Sequence, residues 1–257
     1  MIYTFLADIS RLDLDAALNL QKEKITAYGH FEKTIKKIPC GKINAPKMGD
    51  EIVSHILSGE DITLRRERCG AYLLLSSVMV EMFGGMIAIN REPNGRPFFD
   101  KSSEVRFSIS HSSEAVAVSI STEGPVGVDI EGEISPQRAE RLEKRFFSEI
   151  TINDRNIDVT YIYCILGRDG ECNFYPFNEE KELLMAKTDL GVVALDKTDL
   201  NCCFSAKWTL YEATMKCGGG GFTSLPCLGM LLLETKANTK KICINGVVYY
   251  ITTATAV

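Results

Sequence analysis

Asp129 and Glu131 stand two residues apart in the run Val126-Gly127-Val128-Asp129-Ile130-Glu131. At the strand period of two they share one face with Gly127, while Val126, Val128 and Ile130 share the other and can bury. Carboxylates so placed lie roughly 7 Å apart. At an effective dielectric of about 20 they repel by about 2 kcal/mol. A bound cation removes that repulsion, and carboxylate oxygens with positions left for water and phosphate suit Mg²⁺. The plainer alternative is a strand end whose acids are solvated.

A second group is Trp208-Thr209-Leu210-Tyr211-Glu212-Ala213-Thr214-Met215-Lys216. On a helix, Trp208, Glu212 and Lys216 fall on one ridge at i, i+4 and i+8. Glu212 could be a third oxygen ligand and Lys216 a phosphate contact; an exposed Glu–Lys pair is the ordinary alternative. A third group is Phe107-Ser108-Ile109-Ser110-His111-Ser112. His111 closes a strand with hydroxyls on both sides, which suits either a satisfied structural histidine or a phosphate contact. A Ser–His nucleophile pair is disfavoured, because neighbours in a strand point to opposite faces.

These groups need elements to carry them. Arg65 to Phe83 reads as a helix ended by Gly84-Gly85, and Met86 to Asn90 as a short strand. Asn94-Gly95-Arg96-Pro97 has turn chemistry. Val105 to Ser110, Ala115 to Ser121 and Val126 to Glu131 read as strands. Ser135-Pro136 is an N-cap with Pro at the first position of a helix that runs to about Phe147. Asp158 to Leu166 and Cys172 to Phe177 pair as a hairpin about Asp169-Gly170. Glu179 to Lys187 reads as a short helix. A stronger helix spans Ser205 to Cys217, and Ile242 to Ile251 fold about Asn245-Gly246. Strands and helices mix without a βαβ repeat, so the class is α+β.

Composition excludes several functions. The 29 Lys+Arg against 34 Asp+Glu give a net charge of −5, which argues against a nucleic-acid binder. No run reaches the ~18 apolar residues of a membrane span, and Asp8 in a start without basic residues argues against a signal peptide. A cytoplasmic chain is expected. Its 9 cysteines contain no C-x-x-C pair, so reduced thiols are expected rather than a zinc site or a disulfide framework.

Taken in order, Asn-Gly-Arg-Pro at 94–97, Phe-Ser-Ile-Ser-His-Ser at 107–112, Val-Gly-Val-Asp-Ile-Glu at 126–131, Lys-Arg-Phe-Phe-Ser at 144–148 and Trp-Thr-Leu-Tyr-Glu-Ala-Thr-Met-Lys at 208–216 form a series. With it the chain resembles the 4′-phosphopantetheinyl transferases of the surfactin-synthetase-activating (Sfp) type. The matched blocks cover about 94–149 and 204–226. The resemblance implies two pseudo-symmetric α+β halves, here about 1–124 and 125–257, with the active site between them. It implies transfer of the phosphopantetheine arm of coenzyme A to a serine of an apo acyl, polyketide or peptidyl carrier protein. Adenosine 3′,5′-bisphosphate is released and Mg²⁺ is used. By the same resemblance Asp129, Glu131 and Glu212 are metal ligands. Arg96 and Pro97 lie at the nucleotide end, Ser110 and His111 near the ribose 3′-phosphate, and Lys216 on the diphosphate. Asp129, Glu212 and Lys216 then carry the catalysis, with Glu212 the best candidate base for the carrier serine. The implied partners are coenzyme A and the carrier protein, with no nucleic acid or membrane, and the chain is expected to be a monomer.

Two departures stand out. Where the family pattern has Lys, this chain has Tyr211, expected here as an uncharged hydrogen-bond donor beside the diphosphate, with packing under the inserted stretch as the alternative. The separation of Asp129 and Glu212 is longer than the family's, and the excess at about 152–200 is expected to be an insertion that packs as an appendage. Arg65, Arg66 and Arg68 are candidates for a carrier landing patch or for the 3′-phosphate. The alternative function is a non-catalytic homologue that binds coenzyme A or a carrier.

Overall fold

Strand β1 (Ile2–Asp8) is buried along its whole length, because it is covered on both faces. The computed structural model describes residues 1–23, 35–44, 48–85, 88–93, 95–99, 104–146, 157–180, 183–200, 203–219 and 235–256. After β1 come α1 (Leu14–Glu23), β2 (Gly41–Ile43), α2 (Asp50–Leu57), α3 (Ile62–Phe83), β3 (Ile89–Arg91) and β4 (Pro97–Phe99). Then follow β5 (Arg106–Ser112), β6 (Ala115–Ser121), β7 (Val126–Gly132), α4 (Pro136–Phe146), β8 (Thr160–Leu166) and β9 (Cys172–Pro176). The chain continues with β10 (Asn178–Glu180), β11 (Leu183–Thr188), β12 (Gly191–Lys197), α5 (Phe204–Cys217), β13 (Thr235–Ile244) and β14 (Val247–Ala256). The fold is α+β, as expected.

One six-stranded sheet has the order β2-β9-β8-β1-β6-β5, a second the order β10-β11-β12-β13-β14-β7, and β3-β4 form a two-stranded ribbon. On one face of β1, Tyr3, Phe5 and Ala7 pack with Leu73, Val78 and Met79 of α3. On its other face, Leu6 joins Ala115, Ala117, Val128, Ile130 and Ile251 between the two sheets. Helix α5 covers the outer face of the second sheet through Ala206, Leu210 and Ala213 against Ala237, Tyr250 and Ala254. Helix α4 lies on α5 through Phe146, Trp208 and Met215. The order of layers is therefore helices, sheet, sheet, helices. The Thr4 hydroxyl crosses the seam between the sheets, 2.7 Å from Ser119 Oγ and 2.8 Å from Thr253 Oγ1.

Local signals place most of the elements. Helix α3 starts at Ile62, earlier than Arg65, because Asp61 caps it by accepting from Leu64 N at 2.8 Å. It ends where Gly84 takes φ +78°, a conformation that glycine adopts without a Cβ penalty. Ser135 accepts from Arg138 N at 3.4 Å, the N-cap expected before Pro136. Asn245 and Gly246 take φ +51° and +80° between β13 and β14, the geometry of a two-residue hairpin turn. Gly170 turns β8 into β9, again as expected. The strand expected at Met86 to Asn90 is seen as β3; 86 and 87 lie outside the described residues, as do Asn94, 147–156 and 220–234.

Two expectations are corrected. The described residues of Glu179 to Lys187 do not form a helix: Glu179 and Glu180 belong to β10 and Leu183 to Lys187 to β11, which pairs antiparallel with β10 and, through Leu184 and Met185, with Leu195 and Ala194 of β12. The stretch about 152–200 is not an appendage. Strand β8 runs parallel to β1 in the interior of the first sheet, and β12 pairs with β13 in the second. Strand β8 is buried from Tyr161 to Leu166. Among the described residues no helix is long and apolar enough to cross a membrane, and the seven described cysteines are free.

Candidate active site

Strand β7 is the last strand of the second sheet and turns Val128 and Ile130 into the core between the sheets. Gly127, Asp129 and Glu131 therefore face the other way, towards α5. A Cβ at position 127 would stand 1.9 Å from Ala213 O and 2.6 Å from Cys217 N. Only a hydrogen fits there, so α5 can settle directly on β7. This close approach brings Lys216 Nζ to 2.7 Å from Asp129 Oδ1. Ser110 Oγ of β5 completes the contact, donating to Asp129 Oδ1 at 2.8 Å and accepting from Lys216 Nζ at 3.0 Å.

The other acids lie beside this triad. Glu131 pairs with Arg138 of α4 at 3.0 Å. Burial, then the Asp129 charge, raise the Glu131 carboxyl above its ordinary value against the pull of Arg138. Glu212 is pushed up to about 7, first by burial and then by Asp129, with Lys216 pulling the other way. Loss of water disfavours the charged form, and a neighbouring like charge adds to the effect.

A cleft of about 390 Å³ opens over these groups, lined by Ser110, His111, Asp129, Glu131, Glu212 and Lys216. It is also lined by cationic and aromatic side chains, among them His55, Arg68, Tyr72 and Arg91. His111 Nδ1 lies 2.8 Å from Glu67 Oε2 of α3. Arg68 donates to the His55 carbonyl at 3.0 Å, and Arg91 donates to the Tyr72 hydroxyl. Burial, helped by the charges of Arg91 and Arg68, pushes His55 down to about 4, so its ring is neutral near pH 7. Acidic and basic side chains thus line one cleft. That arrangement suits an anionic ligand accompanied by a cation.

Six of the residues singled out from the sequence therefore meet in one cleft, drawn from three separate motifs. Pro97 also lines it, and continues into an adjoining cleft of about 480 Å³ that contains Arg96, Phe98, Phe107 and Gly219. Of the three α3 arginines, Arg68 reaches the cleft, Arg65 donates to the Gly59 carbonyl at 2.9 Å, and Arg66 turns to Glu114 at 3.8 Å. Tyr211 corrects an expectation. It is 1% exposed and stacks on Trp208 with centroids 5.5 Å apart, facing Phe146 rather than the cleft. The signal for this was the spacing of Trp208, Tyr211 and Met215 at i, i+3 and i+7, an apolar stripe. His55, Tyr72 and Arg91 carried no local motif and are joined to the site only by the fold. A scan against protein-family models and a search of curated proteins both return no match for this chain.

Proposed function

We propose that this chain transfers the 4′-phosphopantetheine arm of coenzyme A to a serine of an apo carrier protein, in the two-half α+β fold that its motifs imply. The observation that carries this reading is the convergence of Ser110 and His111, Asp129 and Glu131, and Glu212 and Lys216 on one cleft together with Arg68 and Arg91. Coenzyme A bears a diphosphate and a 3′-phosphate, and its transfer leaves a bisphosphate as the leaving group. A site for it needs fixed positive charge against both ends.

The residues divide that work by position. Lys216, already beside Asp129, meets the diphosphate; Arg68, Arg91 and His111 meet the nucleotide phosphate; Arg96 and Pro97 border the base. In the reaction the carrier serine oxygen bonds to the phosphorus of the pantetheine phosphate. The anhydride bond to adenosine 3′,5′-bisphosphate breaks, and Glu212 takes the serine proton. In the metal-free site burial and the Asp129 charge hold the Glu212 carboxyl up at about 7, within reach of proton exchange near neutral pH. The donor chemistry of Asp129, Glu131 and Glu212 fits Mg²⁺, since all are hard oxygens and the charge of Asp129 raises the other two. As placed, Lys216 and Arg138 are the counterions, and no set of three such side chains stands at ligating distances among the described residues. When bound, Mg²⁺ supplies charge neutralisation at the diphosphate.

The test is to incubate the protein with several apo carriers, coenzyme A and Mg²⁺, and weigh the carriers. The expected result is a mass gain of one phosphopantetheine arm. Coenzyme A binding without any gain would favour the non-catalytic homologue; neither binding nor gain would overturn the reading.

A further inference from the structure

Strands β5 and β7 are the terminal strands of different sheets, yet their edges meet. They meet through serine side chains. The backbone N–H groups of Val128, Ile130 and Gly132 donate to the hydroxyls of Ser108, Ser110 and Ser112 at 3.1, 3.4 and 3.4 Å. An edge N–H buried in such a seam needs an acceptor, and one serine per rung supplies it. At the middle rung the hydroxyl proton points onwards. Ser110 donates to Asp129 Oδ1 at 2.8 Å. The rung at Ser108 lies beside Gly127, which has no side chain to hold.

A serine hydroxyl has one proton and two lone pairs. At Ser110 the proton goes to Asp129, and the lone pairs take Ile130 N and Lys216 Nζ. Nothing is left to donate to a phosphate. We propose that Ser110 is a positioning residue that holds the carboxylate of Asp129 and the ammonium of Lys216, instead of contacting the nucleotide. This assigns Ser110 a different role from the phosphate contact implied by the motif, and for its catalytic consequence it rests on the transferase reading.

The test compares Ser110→Ala with Ser108→Ala. Each loses one rung, so both should melt lower by similar amounts. Only Ser110→Ala should lose kcat, by about 10–100-fold, the usual effect of removing a group that orients a ligating side chain, with KM for coenzyme A unchanged. Ser110→Thr, which keeps the hydroxyl, should restore kcat. If the alanine variant does not fold, Ser110→Cys replaces it, since a thiol is a weak partner. A readout free of activity is the ¹⁵N–¹H signal of the Lys216 side-chain ammonium, assigned by its absence in Lys216→Arg. It should persist in the wild type, Ser108→Ala and Ser110→Thr, and vanish in Ser110→Ala. A raised KM with kcat unchanged, or an ammonium signal that survives in Ser110→Ala, overturns the proposal. If the wild type transfers nothing, the transferase reading falls, and the ammonium signal alone decides the positioning role.

Discussion

Glu212 is where the charges of the cleft converge. Its carboxyl titrates at about 7 in the fold, against 4.5 for a free side chain, because it is buried and faces Asp129. The folded value is the higher one, so the stability linked to this group is complete below pH 4.5 and is lost as pH rises through 7. Metal-free protein should therefore melt progressively lower over that window. Glu212→Gln, which cannot ionise, should flatten the curve; calorimetry on both forms at a series of pH values decides it, and parallel curves would sink the idea. Tyr211 calls for the opposite treatment to its neighbour. Tyr211→Lys would put an ammonium into the aromatic contact with Trp208 and Phe146. The expected loss is at least about 3 kcal/mol of stability, measured by denaturant unfolding, with no tightening of coenzyme A. In the same cleft, His111→Ala should weaken coenzyme A by roughly 1.5–3 kcal/mol, the worth of a charge-assisted hydrogen bond. It should leave 3′-dephospho-coenzyme A nearly unaffected. Equal losses in calorimetric titrations of the two ligands would move His111 away from the 3′-phosphate.

At the scale of elements, the site depends on how closely α5 lies on β7. Glu212 and Lys216 line the cleft one turn apart, while Trp208, on their ridge by spacing, turns instead to bury with Tyr211 and Met215 under α4. The helix thus presents its polar side to the cleft only while its apolar stripe holds it down. Gly127 sets the distance, since a methyl there would overlap the Ala213 carbonyl. Gly127→Ala should push α5 outwards, cost about 1–3 kcal/mol of stability as overpacking does, and separate Lys216 from Asp129. Thermal melting and transfer activity should fall together. A variant with the wild-type melting temperature and full activity would show that the helix tolerates the shift.

At the scale of the molecule, the region about 152–200 binds the two sheets' fates together. Its strand β8 fills the place between β1 and β9, and β11 and β12 extend the second sheet as far as β10. Removing the β8–β9 hairpin would leave β1 with an unpaired edge and open the core around Phe5, Ile162 and Phe174. The deleted protein is expected to be unfolded by circular dichroism and by hydrogen exchange. A folded deletion variant that still binds coenzyme A would restore the appendage.

What could be read from residues alone was local. The Asn245-Gly246 and Asp169-Gly170 turns, the Ser135-Pro136 helix start and the two faces of Val126 to Glu131 follow from backbone preferences and the strand period, which act between near neighbours. The acids and Lys216 were legible for the same reason, as spacings on one strand and one helix. Glu179 to Lys187 misled, because Glu, Lys, Leu and Met favour a helix while pairing with Val193, Ala194 and Leu195 holds them extended. The tertiary structure alone decided the rest: β8 beside β1, His55 and Arg91 in the cleft, and three serines carrying the seam between the sheets. Each is a contact between residues far apart in the chain. Such contacts are chosen by which buried donors and apolar faces remain to be satisfied once every local element has formed.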